Sequence, residues 1–222
     1  MAPVGRLWGY PAQRQTKTIL AAAAIAGLEI DTPPFKYNVT NRSPEFLAKF
    51  PLGKIPAFEN AAGFTLIEGA PIARYVCSLA PESGLLGRGM EEQAHIDQWM
   101  HFAEYEISMF SLHAQALNSG HLGAYSKEMF EGVINRQARS LRFLDTYLSS
   151  CPSGLLVGDR ITLADIALAA TTQQAGRVTC GAAERALYPS VFSHYEKVAS
   201  DPRVKTLFGG VDFVEKALAY KV

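Results

Sequence analysis

Three polar side chains crowd one short stretch near the N-terminus: the phenol of Tyr10, the amide of Gln13 and the guanidinium of Arg14. Each can donate a hydrogen bond to an anion, and a helix reading from Gln13 to Ala26 puts its positive end beside them. Further on, Glu68 and Gly69 open another helix, where a carboxylate is an ordinary first-turn residue. The remaining reactive side chains are scattered. Cys77, Cys151 and Cys180 form no CxxC pair and are too few for a disulfide framework or a zinc site, so no metal is expected. His101 and His113 read as surface or hydrogen-bonded core positions.

Short alternating elements must hold the N-terminal groups in place. Arg6 to Gly9 reads as a strand, and Gln13 to Ala26 as a helix stopped by Gly27. Ile30 to Tyr37 reads as extended, kept at a sheet edge by Pro33-Pro34. Ser43 caps a short helix from Pro44 to Phe50. Pro56 to Glu59 and Phe64 to Ile67 read as a hairpin, and Pro71 to Leu79 as a helix. The order is βαβαββα. A linker follows, Ala80 to Gly89, with one proline and three glycines. It divides the chain into residues 1–80 and 90–222.

Beyond the linker every element reads as helix: Glu91 to Leu117 as one long helix, then Ser126 to Leu148, then Thr162 to Gly176. Shorter helices are expected over Tyr188 to Ser200, Pro202 to Leu207 and Asp212 to Tyr220. The third is the most apolar and reads as the buried central helix. Thr162 and Asp165 form a capping box at its start, and Ile161 with Ile166 can staple it.

The 222 residues are 48% apolar and 19% charged, which fits a globular chain with a substantial core. Basic and acidic residues number 21 each, with none of the basic excess expected of a nucleic-acid binder. The part up to Arg88 holds nine basic against six acidic residues, which favours an anionic ligand there. The longest apolar run, Ile19 to Gly27, is about half a membrane span, and the N-terminus shows no signal-peptide pattern. A soluble cytoplasmic protein is expected.

Three strings carry a resemblance. NRSPEFLAKFPLGKIPAFE (Asn41 to Glu59), GFTLIEGAPIARYV (Gly63 to Val76) and LLVGDRITLADIALAA (Leu155 to Ala170) look like segments of the glutathione transferase superfamily. The resemblance covers nearly the whole chain. In detail the chain most resembles the transferase-like domain of the gamma subunit of translation elongation factor one. It implies a glutathione transferase fold, with a thioredoxin-like α/β N-terminal domain and an all-α C-terminal domain. It also implies a homodimer and glutathione as co-substrate.

On that resemblance, Pro56 is a cis-proline that exposes the Ile55 backbone to glutathione. Lys54 meets the glycyl carboxylate, Glu68 the γ-glutamyl amino group, and the N–H of Gly69 the γ-glutamyl carboxylate. Gly69 departs from the commoner serine. The residue that activates the thiol should follow the first strand, where neither the tyrosine nor the serine pattern is met; Gln13 ranks first, Arg14 second and Tyr10 third. A small hydrophobic electrophile should lie between this loop and the long helix, which carries Trp99, His101, Phe102, Tyr105, Glu106 and Met109; its aromatics read more readily as plain inter-helix core. The alternative is a non-catalytic scaffold with elongation-factor subunits as partners. The elongation-factor subunit continues past this region and this chain stops at Val222, so a stand-alone enzyme is expected over an excised domain.

Overall fold

The computed structural model describes residues 2–122 and 126–219. A three-stranded antiparallel sheet forms the centre of the N-terminal part: β1 (Arg6–Trp8), β2 (Ala57–Glu59) and β3 (Thr65–Ile67), in that order. Leu7 stands opposite Phe58, and Phe58 opposite Leu66. Side chains alternate across the sheet. Leu7 and Phe58 face the helices α1 (Arg14–Ile25) and α3 (Gly69–Ser78), burying against Ile19, Ile72 and Val76. Trp8 and Ala57 face the other way, onto Phe46 and Phe50 of the short helix α2 (Pro44–Lys49) and its end. Ser43 caps α2, its hydroxyl accepting from the Phe46 N–H at 3.2 Å.

The strand expected over Ile30 to Tyr37 is reduced to a single parallel bridge between Arg6 and Asp31. The Leu7 N–H donates to Asp31 at 2.8 Å and the Asp31 N–H to Gly5 at 2.9 Å. Pro33 and Pro34 then remove the two N–H groups that a longer ladder would need.

Helices make up the rest. The single helix expected from Glu91 to Leu117 is interrupted: α4 (Met90–Phe102) and α5 (Met109–Asn118) are joined by a π-helical stretch, Ala103–Ser108. There follow α6 (Lys127–Ser149), α7 (Leu163–Val178), α8 (Ala182–Leu187), α9 (Pro189–Ala199) and α10 (Lys205–Phe208). Helix α7 is buried on nearly every side, and α1 packs directly on it, so one core runs from Leu7 to Phe208. The capping box at its start is present as read.

No helix covers Asp212 to Ala219, and Tyr220 lies outside the described residues. This segment bonds to other elements instead of to itself. The Val214 N–H donates to Gly176, Leu218 to Val178, and the Ala182 N–H to Glu215. Burial pushes the thiols of Cys77 and Cys180 up to about 12, so both are unreactive core residues. Among the described residues no helix is long and apolar enough to cross a membrane, and no metal-binding cluster is present.

Candidate active site

The loop after β1 is shaped by close approach. A Cβ on Gly9 would stand 2.3 Å from the Thr16 hydroxyl oxygen, so only glycine fits there. The space lets the Thr16 hydroxyl donate to the Gln13 amide oxygen at 2.7 Å. The amide is thereby oriented, and its nitrogen donates to the Ile55 carbonyl at 3.2 Å. Gln13 is the residue just before α1, so its NH₂ group sits by the positive end of that helix with a second N–H to spare. The Ile55–Pro56 bond is cis.

A cleft of about 390 Å³ opens beside this pair, walled by Gln15, Phe50, Lys54, Pro56, Leu66 and Glu68. Lys54 forms no ion pair among the described residues, whereas neighbouring Lys49 is held by Glu59 at 2.7 Å. Glu68 adopts φ +69°, a conformation that side-chain-bearing residues rarely take, and makes no cap bond to α3. Its carboxylate is therefore not spent on its own helix.

Gln15 was not singled out by the sequence. A Cβ on Gly69 would lie 2.6 Å from Gln15 Cβ and 2.7 Å from its Cγ, so the Gln15 stem occupies the space of a side chain at residue 69. A serine there would displace Gln15 from the cleft wall. Gly69→Ser is expected to destabilise the chain by about 1–3 kcal/mol, as an overpacked core position does. Gln15→Ala in the same chain should restore most of the loss, and denaturant melts of the three variants check it. An uncompensated double variant would contradict the steric account.

A matched pair of family models decides the ancestry of this architecture. The glutathione S-transferase N-terminal domain matches residues 3–78, and the glutathione S-transferase C-terminal domain matches residues 124–208. The chain belongs to the glutathione S-transferase family. The glutathione S-transferase-like protein FUS3 of Gibberella moniliformis is 38% identical over 97% of both chains. Elongation factor 1-gamma of Rattus norvegicus is 32% identical over 96% of this chain and 48% of its own length. The glutathione transferase URE2P6 of Phanerochaete chrysosporium, solved in complex with oxidized glutathione, superposes with a TM-score of 0.82. It is 18% identical over 93% of this chain and 96% of that one.

On this transferase fold the expected site residues separate. Lys54, Ile55, Pro56 and Glu68 line the first cleft, whereas Gln13 reaches it only through the Ile55 carbonyl and Gly69 lies behind Gln15 in its wall. Tyr10 turns elsewhere: its hydroxyl accepts from the Tyr37 N–H at 2.9 Å and its ring packs edge-on against Phe35. Arg14 is buried in an ion pair with Glu104, 2.7 Å away on the π-helical stretch. That stretch and Arg14 thus tie the N-terminal and helical parts of the chain together.

A second cleft, of about 300 Å³, lies between α1 and the helical part. Its walls include Gln13, Lys17, Leu112, Gln173, Arg177 and Val178. None of the six residues named on the long helix is among its walls, and Trp99 and Phe102 take the inter-helix packing role that the sequence also offered. Trp99 packs with Phe102, Phe143 and Tyr147, and His101 stacks on Tyr105 at the surface.

Burial first, and then the charge of Arg177, pull the Lys17 ammonium from 10.5 down to about 8, against the opposing pull of Asp212. Folding with the lysine charged costs stability below about pH 8. The cost lifts between about 8 and 10.5, where the unfolded chain holds the proton more firmly than the folded one. The stability of the wild type relative to Lys17→Met should therefore rise across this window, by up to about 3 kcal/mol. Denaturant melts of both at either end of the window test this, and a flat difference contradicts it.

Proposed function

We propose that this chain is a glutathione-dependent enzyme, conjugating or isomerising a small hydrophobic electrophile through a glutathione thiolate. The observation that carries this reading is that the cis Ile55–Pro56 backbone, Lys54 and Glu68 line one cleft, with the Gln13 amide hydrogen-bonded to the Ile55 carbonyl at its edge. The ligand is a tripeptide with two carboxylates, an amino group and a thiol. Lys54 suits the glycyl carboxylate and Glu68 the amino group. The Ile55 backbone suits the cysteinyl amide, and the Gly69 N–H at the start of α3 suits the second carboxylate. The second N–H of Gln13 suits the sulfur. A free thiol ionises near 8.5, so an amide donor aimed at the anion raises the reactive fraction at neutral pH. The thiol proton passes to solvent and the thiolate attacks the electrophilic carbon; as the C–S bond forms, the bond to the leaving group, halide in an aryl halide, breaks and the group departs with its electron pair.

The likeness to FUS3 along the full length of both chains, and to a transferase solved with glutathione, supports the reading. A second reading, a contact domain within an elongation-factor assembly, is favoured by the likeness to elongation factor 1-gamma. The pairing of Arg14 with Glu104 also favours it, since that takes one candidate activator out of use. Assay of the purified chain with glutathione and a model aryl halide separates the two. Turnover above the uncatalysed rate is expected, and its absence together with capture of elongation-factor subunits supports the second. A cytoplasmic homodimer is part of the proposal, with the N-terminal part of one subunit against α4 and α5 of its partner. Light scattering should give twice the 24.2 kDa of one chain, and a monomer mass contradicts it.

A further inference from the structure

Three cations border the second cleft, and among the described residues only Lys17 has no carboxylate hydrogen-bonded to it; Asp212, held by Arg177, acts on it at longer range. Arg14 is paired with Glu104 and Arg177 with Asp212, each at 2.7 Å. Lys17 is buried, with 3% of its surface exposed, and its Nζ donates to a neutral acceptor, the Gln173 amide oxygen, at 2.5 Å. The Phe208 ring lies 5.3 Å from Nζ on another side. Gln173 cannot turn away, because its nitrogen donates to the Phe208 carbonyl at 2.8 Å and to the Tyr195 hydroxyl at 3.2 Å. An ammonium carries three donors and is costly to bury without an anion. No carboxylate hydrogen-bonds to Lys17 among the described residues, and the open space beside it is the cleft. The rest of the wall is largely apolar, with Leu112 and Val178 exposed to it.

We propose that this cleft binds an apolar monocarboxylate, its carboxylate on Lys17 and its hydrocarbon body against Leu112 and Val178. The site shares Gln15 with the first cleft, and the inference rests on the transferase reading in taking such an acid as the class of second substrate. The acid's electrophilic carbon then lies toward the glutathione sulfur, and its charged end is fixed away from it.

The test compares octanoate with 1-octanol, alike in chain length and different in charge, by calorimetry on the full chain without glutathione. Octanoate should bind about 10- to 100-fold more tightly than octanol, the range of a hydrogen bond to a charged group. Lys17→Met should remove that preference while octanol binding persists. Leu112→Trp, at a half-exposed helical position, should weaken both ligands by filling the cleft. Equal affinities in the wild type, a preference kept in Lys17→Met, or octanoate binding untouched by Leu112→Trp would each overturn the proposal. Glutathione is titrated separately. Loss of glutathione binding with the octanoate preference intact would count against the transferase reading and leave the acid site standing.

Discussion

Asp165→Ala is expected to lower the unfolding free energy by about 3–5 kcal/mol, the cost of breaking a buried charged network. The carboxylate is fully buried. One oxygen accepts from the Leu156 N–H at 2.8 Å and from His194 Nε2 at 2.9 Å. The other accepts from the Thr162 N–H at 2.8 Å and its hydroxyl at 2.7 Å. Alanine strands four donors away from water, each worth about 1–3 kcal/mol before relaxation. An exposed cap loses only about 0.5–2 kcal/mol. Here the same side chain also fixes the 156 loop and α9, because His194 has no other partner among the described residues. Asp165→Asn should recover little, since its NH₂ would face donors. In a chain of this length the loss corresponds to a fall in Tm of about 6–20 °C. A shift below about 2 °C would show that the network relaxes around the gap.

Gln13→Ala is expected to reduce kcat/KM for glutathione conjugation about 10- to 100-fold. A hydrogen bond to an anion is worth about 1.5–3 kcal/mol, which is one to two pKa units of the bound thiol. The pH–rate profile should move up by that amount, while the KM for glutathione changes little. Arg14→Ala should act differently. It breaks the Glu104 pair and lowers stability without moving the pH profile. Tyr10→Phe should leave the rate unchanged, because its oxygen only accepts from the Tyr37 N–H near the surface. If Tyr10→Phe abolishes turnover and Gln13→Ala does not, the thiol lies elsewhere than beside Ile55.

What could be read from sequence was mostly local. The capping box joins residues three positions apart, so Thr162 and Asp165 announced it; the cap at Ser43 and the stop at Gly27 are equally short-range. The cis bond before Pro56 was carried by a matching string, since spacing alone allows an ordinary edge strand. What was missed depends on distant partners. Gln15 matters because Gly69 lies against it, 54 positions along the chain, and nothing near Gln15 records that. Arg14 is claimed by Glu104 through a π turn that leaves no periodicity signal in the helix. The tail after Gly210 has helical composition, yet its N–H groups find carbonyls at the end of α7. The extended segment read over Ile30 to Tyr37 contracts to the Arg6–Asp31 bridge, because Pro33 and Pro34 lack the N–H groups that a longer ladder needs.

Calorimetric titration of the wild-type chain with reduced glutathione tests the central claim most directly, with Glu68→Gln and Lys54→Ala as companions. The wild type should show saturable heat with one site per chain. Glu68→Gln should weaken binding about tenfold or more, because it removes the charge opposite the γ-glutamyl amino group. Lys54→Ala should weaken it less, as expected for a lysine at the open edge of the cleft. Absence of heat at millimolar glutathione, or equal affinity in all three proteins, would contradict a glutathione site in this cleft.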